Sequence, residues 1–161
     1  METRQTNPVK ESLEDMQAEM YHRMLTCIIK SLRGSWHQYY VDEHNHFASG
    51  FLRKNEDEAY FSRLSYDLEF VLLEVKIGEL IECTDVFALR SLLQQHHLPA
   101  GTRLCQDPES GEITLQSSAS VFDPKSIGNV AKGVAQNLSM ALTQEYDRIL
   151  ALGIKPAYRA A

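Results

Sequence analysis

Residues 112–152, EITLQSSASVFDPKSIGNVAKGVAQNLSMALTQEYDRILAL, change hydrophobic period partway along, and that change decides the fold class. Over 112–122 the apolar Ile113, Leu115, Ala119 and Val121 alternate with Thr114, Gln116, Ser118 and Ser120. That is the two-residue repeat of a strand with one face in a core and the other in water. Asp123 as N-cap and Pro124 at the first helical position then open a helix that continues to Leu152, before Gly153 and Pro156. Along it Ile127, Val130, Val134, Leu138, Ala141, Leu142, Ile149 and Leu152 fill one stripe. A half-wet strand followed by a one-stripe helix predicts a helix laid on an antiparallel sheet, the α+β class. Glu145 falls in the middle of the stripe, where an unpaired buried carboxylate is costly. It is expected to emerge at an edge or to pair with a base, ahead of any proton-carrying role.

Working back toward the N-terminus, residues 102–107 pair with 112–122 across DPESGE, which places proline and glycine where a tight turn uses them. A second helix is predicted over 85–98, with Thr84 as N-cap and Pro99 and Gly101 closing it. Residues 68–77, LEFVLLEVKI, are apolar on both faces, which predicts a central strand covered on both sides. They form a hairpin with 59–66, AYFSRLSY, while 36–41 and 47–53 are aromatic-rich strands joined by the polar turn DEHNH. The predicted architecture is a mainly antiparallel twisted sheet of about five strands in order α-β-β-β-α-β-β-α, with the first and third helices on one face. Residues 36–41 add a short strand before the three-strand meander.

The first helix is expected from Ser12, with Asp15 completing an approximate capping box, to Arg33 before Gly34. Leu13, Met16, Met20, Met24, Cys27 and Ile28 share one face, and Ala18, Leu25, Ile29 and Leu32 widen it beyond what one packing contact requires. Two readings follow: a deeply wedged core helix, or a helix with a partner surface, which three adaptable methionines suit. In the second reading Leu25 and Ile29, at the edge of the arc, bind the partner. The domain is placed at 12–153, between an N-terminal tail, 1–11, and a C-terminal tail, 154–161.

Composition narrows the function. With 161 residues, 43% hydrophobic and 24% charged, the chain fits one self-sufficient domain that buries roughly 70% of its unfolded surface. A formal charge of −6 with no basic run disfavours nucleic acid and anionic membranes as partners. No apolar run approaches the roughly 18 residues of a membrane span, and the polar start METRQTNPVKE lacks a signal-peptide pattern. Cys27, Cys83 and Cys105 are an odd, scattered set, read as reduced thiols of a cytosolic protein.

The search for catalytic chemistry returns little. His44 and His46 flank a turn and His96 and His97 end the second helix, but neither pair supplies three or four convergent ligands, so no metal site is expected. No GxSxG elbow or glycine-rich phosphate loop occurs, so catalytic and cofactor-binding residues are both read as none and the chain as a non-enzyme. The run Glu56, Asp57, Glu58 reads as a solvated turn. On the second helix Val86, Ala88, Leu89, Leu92 and Leu93 form a core-facing arc. Phe87 and Leu98 fall on the outer side beside Ser91 and Gln94. That outer face reads as a protein interface centred on the aromatic, or as a patch covered by a loop or the N-terminal tail.

The order helix, three-strand meander, helix, two-strand hairpin, helix resembles the class I type III secretion chaperones, small acidic proteins with an amphipathic C-terminal helix. It is also similar to the related YbjN family, whose second-half pattern resembles LPAGTRLCQDPESGEITLQ at residues 98–116. The resemblance covers residues 12–152. It implies a cytoplasmic homodimer, paired through the second helix, that holds an extended segment of a secreted effector protein without ATP. Two alternatives stand beside it: a YbjN-like regulatory or stress protein whose partner is folded, and a small ligand-binding or enzyme domain.

Overall fold

The computed structural model describes residues 8–82, 84–93, 98–157 and 159–160. In chain order the elements are α1 (Pro8–Ser31), β1 (Trp36–Asp42), β2 (Phe47–Arg53), β3 (Ala59–Tyr66), β4 (Phe70–Glu79) and α2 (Val86–Leu93). They continue with β5 (Thr102–Gln106), β6 (Glu112–Ser120), α3 (Ile127–Leu150), β7 (Lys155–Pro156) and β8 (Arg159–Ala160). The fold is α+β. Its six long strands run in spatial order β1-β2-β3-β4-β6-β5, every pairing antiparallel.

α3 lies on β4 and β6, and α1 lies beside α3. The stripe read from sequence is the buried side: Ile127, Val134, Leu138, Ala141, Leu142 and Ile149 are all in the core. Each such side chain contributes roughly 1.5–3 kcal/mol of burial. Asp123 caps as expected, its carboxylate accepting from the Lys125 amide at 3.0 Å, but Pro124–Ser126 form a single 3-10 turn before α3 begins at Ile127. Gly128 sits where α1 reaches α3, since a Cβ there would lie 2.3 Å from Ser31 Oγ. Glu145 is 4% exposed within the stripe and pairs with Arg148 Nη1 at 3.3 Å, the base-paired outcome.

Several boundaries differ from the sequence reading, each for a physical reason. α1 starts at Pro8 rather than Ser12, because a first-turn residue needs no amide hydrogen and proline fits there. Asp85, not Thr84, caps α2, accepting from the Ala88 amide at 3.0 Å. Thr84 Oγ1 instead accepts from the Ile81 amide and donates to the Gly153 carbonyl, both at 3.0 Å, tying the approach to α2 to the end of α3. β4 is central, with Val71, Leu73, Val75 and Ile77 buried beneath the helices, yet its other face is uncovered: Phe70 is 40% exposed.

The stretch expected to be a C-terminal tail is part of the sheet. Gly153, at φ +83°, turns the chain, Ile154 enters the core, and β7 pairs with Gly78 and Glu79 at the end of β4. β8 then pairs with Ala59 and Tyr60 at the start of β3. β7 and β8 thus strap the ends of two neighbouring strands.

Candidate binding face

With α1 and α3 on one side, the other side of β1–β4 is left to solvent, and strand alternation decides what stands there. On β2, Ala48, Gly50 and Leu52 face the core, so Phe47, Ser49, Phe51 and Arg53 face out. On β3, Tyr60, Ser62, Leu64 and Tyr66 face in, leaving Phe61 and Arg63 outside. Gly50 takes the inner side where the indole of Trp36 packs: a Cβ on it would lie 2.6 Å from that ring and 2.2 Å from the His37 carbonyl oxygen. Trp36 Nε1 donates to Ser62 Oγ at 2.8 Å, and Ser62 donates on to the Gly50 carbonyl at 3.2 Å, which locks the inner side of this corner.

On β1 the register with β2 slips between Gln38 and Tyr40. Such a bulge breaks strict alternation and lets neighbouring side chains share a face. Tyr39 therefore joins the outer face, with Tyr40 beside it in the register opposite Ser49. Tyr39, Phe51 and Phe61 form a mutual edge-to-face triad, with ring centroids at 6.1, 6.4 and 5.7 Å. Aromatic rings favour that arrangement, but here it leaves Tyr39 74% exposed. Tyr40 tilts against Phe47 at 6.3 Å, and the guanidinium of Arg63 lies 4.2 Å over the Phe47 ring.

Across β4, β6 and β5 the same face turns polar. Arg103 Nε donates to Gln116 at 2.9 Å, and Gln116 donates to Glu74 at 3.0 Å. Beyond Phe61, Lys76 bonds Glu79 at 2.8 Å and approaches Glu112 at 3.6 Å. The hydrogen bond from Lys76 is the main cause holding the Glu79 carboxyl below its usual range. A cavity of about 280 Å³ opens between Phe61, this ion cluster and the strap at Lys155, Pro156 and Ala157. Burial raises the Cys105 thiol above its ordinary value, which keeps it protonated and unreactive. Among the described residues no group of three or more His, Cys, Asp and Glu is placed to hold a metal ion, and no helix is long and apolar enough to cross a membrane.

The residues singled out from sequence scatter over the molecule. Leu25 is 3% exposed and belongs to the core, and Ile29 is half-buried against it, so the wide arc of α1 is the wedged-helix case. α1 packs chiefly along α3, and Tyr21 on it also reaches His46 and Tyr66. Phe87 is 83% exposed on α2, with Ser91 also exposed, and Gln94 lies outside the described residues, as do His96, His97 and Cys83. Leu98 lies beyond α2 and packs against the core, so it does not share an outer face with Phe87. Val86 and Ile81, more than two-fifths exposed, are the apolar neighbours of Phe87 along the chain.

Sequence reading did not single out the aromatic face. Its signal was present: in FASGFLR the bulky residues alternate with alanine and glycine, and at Gly50 there is no room for a side chain beneath the Trp36 indole.

No protein-family model and no curated protein matches the chain. Among solved structures it is similar to a chain of the HopA1-SchA chaperone-effector complex, with a TM-score of 0.46 and 18% identity over 78% of this chain and 95% of that one. It is also similar to a chain of the Yersinia pestis type III secretion chaperone SycH in complex with a stable fragment of YscM2. There the TM-score is 0.44 and the identity 14%, over 82% of this chain and 98% of that one.

Proposed function

We propose that this protein is a non-catalytic cytoplasmic chaperone of the type III secretion kind, which holds an extended segment of a secreted effector against the outer face of β1–β3. The observation that carries the reading is the exposed triad of Tyr39, Phe51 and Phe61, on a sheet face against which no helix packs among the described residues. A soluble domain gains nothing from presenting edge-to-face aromatics to water, whereas a partner that desolvates them gains about 2 kcal/mol or more per well-packed anchor. β1 is an edge strand, so backbone hydrogen-bonding groups stand beside the triad, the combination that strand addition uses. The acidic charge elsewhere keeps a protein with such a face in solution. The element order resembling class I chaperones supports the same reading. With it goes a symmetric homodimer centred on Phe87, on a helix that contacts β5, the sheet edge opposite β1.

The test is a triple variant, Tyr39→Ser with Phe51→Ser and Phe61→Ser, co-expressed with a secreted effector that wild type retains on co-purification. These side chains face away from the core, so the expected result is near-wild-type melting with loss of effector co-purification. Undiminished co-purification by the folded variant overturns the assignment.

A further inference from the structure

The charges around the triad run against the charge of the whole chain. The protein carries 22 acidic and 16 basic residues, yet the groups standing free on this face are arginines. Arg53 and Arg63 are both exposed, and among the described residues neither is ion-paired with a carboxylate. Arg53 Nη2 lies 3.4 Å from His37 Nε2, and Arg63 rests on Phe47. A guanidinium stacked on a ring keeps its in-plane N–H edge available to a carboxylate. The acids of the same face bond to neutral groups: Glu74, across from Arg63 in the register, accepts from Gln116, and Asp42 accepts from the amide and side chain of Asn45 at 3.1 and 2.7 Å.

The ladder fixes the spacing of the two arginines about the triad. Arg53 is opposite Ala59, Phe51 is opposite Phe61, and Ser49 is opposite Arg63. The Cα of each arginine therefore stands one side-chain row from the Phe51–Phe61 pair, on opposite sides, at roughly 7 Å along the strand, with the Arg63 guanidinium leaning outward over Phe47 and that of Arg53 toward His37. Same-face side chains of an extended peptide repeat at that same spacing of roughly 7 Å.

We infer that this face selects an extended segment of the form acidic-x-apolar-x-acidic, its apolar side chain seated on Tyr39, Phe51 and Phe61 and its two carboxylates on Arg53 and Arg63. The inference rests on the aromatic face being the client surface and adds the chemistry of the client. The rings exclude water around the flanking pairs, which strengthens them, and a segment with lysine at those positions meets like charge.

Three dye-labelled ten-residue peptides that differ only at the two flanking positions, Glu-x-Leu-x-Glu, Gln-x-Leu-x-Gln and Lys-x-Leu-x-Lys, are titrated into the full chain and followed by anisotropy. The expected order is Glu, then Gln, then Lys, with the Glu peptide about tenfold or more tighter than the Gln peptide, the scale of one to two charge-assisted hydrogen bonds. That preference is expected to vanish in an Arg53→Gln, Arg63→Gln double variant, whose changes are confined to exposed side chains, and to shrink with added salt. Equal binding of the Glu and Gln peptides overturns the charge selection and leaves the aromatic face standing. A preference that persists in the double variant overturns the assignment to these arginines. Failure of all three peptides to bind wild type, or undiminished binding by the triple aromatic variant, overturns the face itself.

Discussion

Two buried hydroxyls on β3 have opposite expected effects when removed. Ser62 Oγ accepts from the Trp36 indole, so Ser62→Ala leaves a buried N–H without its partner, and the expected loss is about 1–3 kcal/mol in urea denaturation. Tyr66, 2% exposed, has a hydroxyl with no hydrogen-bond partner among the described residues, so Tyr66→Phe is expected to leave stability unchanged or slightly higher. The same hydroxyl sets an alkaline limit. Burial, with help from Glu43 and Asp42, pushes Tyr66 up to about 12 from an ordinary 10.0. Between these values the unfolded chain loses the proton first, so the stability is fully present below pH 10 and falls as pH rises toward 12. The slope is up to about 1.4 kcal/mol per pH unit. Denaturation midpoints across pH 9–12 are expected to fall less steeply in Tyr66→Phe. Tyr60, Tyr21 and Cys105, which burial also raises, contribute to the remaining slope, as do Lys54 and Lys76, whose bonds to carboxylates hold them above their ordinary values.

At the scale of elements, the strap of β7 and β8 depends on one glycine. A Cβ on Gly78 would lie 2.2 Å from the Lys155 carbonyl oxygen and 2.6 Å from Ile154 Cγ2, so Gly78→Ala is expected to lift residues 154–160 from the sheet. The Ala157 amide, which donates to the Ile77 carbonyl at 3.0 Å, is expected to exchange its hydrogen much faster, while β4–β6 amides stay protected. Unchanged exchange at Ala157 is the contrary outcome. The two long helices show how far periodicity reaches. The stripe of α3 gives the centre of its buried face, while Val130 and Leu152 lie half-buried and the buried face widens to take in Ala131, Ala135 and Tyr146. The arc of α1 mixes two environments: Met24, Leu25 and Ile28 in its C-terminal half are buried, with Leu32 just beyond it, while Leu13 and Met16 in its N-terminal half stay exposed. A wheel alone does not separate those two halves.

At the scale of the molecule, the sheet has one face committed to the core and one to the outside, and α2 adds a separate apolar patch at Ile81, Val86 and Phe87. The proposed symmetric contact through that patch buries Phe87 twice, so a charge there would be buried twice as well. Wild type is expected to sediment as a dimer at micromolar concentration, and Phe87→Glu as a folded monomer, with about 2 kcal/mol or more lost per anchor. A monomeric wild type, or a variant that stays dimeric, removes this interface. Because the aromatic triad lies on a different face, the monomeric variant is expected to keep its affinity for the acidic peptide.

The sequence by itself determined the α+β class, the order of the main elements, the central place of β4, the wet face of β6 and the buried stripe of α3. Each is written in a local period of 2.0 or 3.6 residues that holds whatever the element packs against. Only the tertiary structure decided which side of β2 and β3 is outside. Both sides carry apolar residues, and at Gly50 the inner side has no room for a side chain beneath the Trp36 indole, so the phenylalanines take the outer one. The tertiary structure also decided that Leu25 is core, that Leu98 turns inward, and that β7 and β8 join β4 and β3. These depend on contacts between residues far apart in the chain, whose free energy no local pattern encodes.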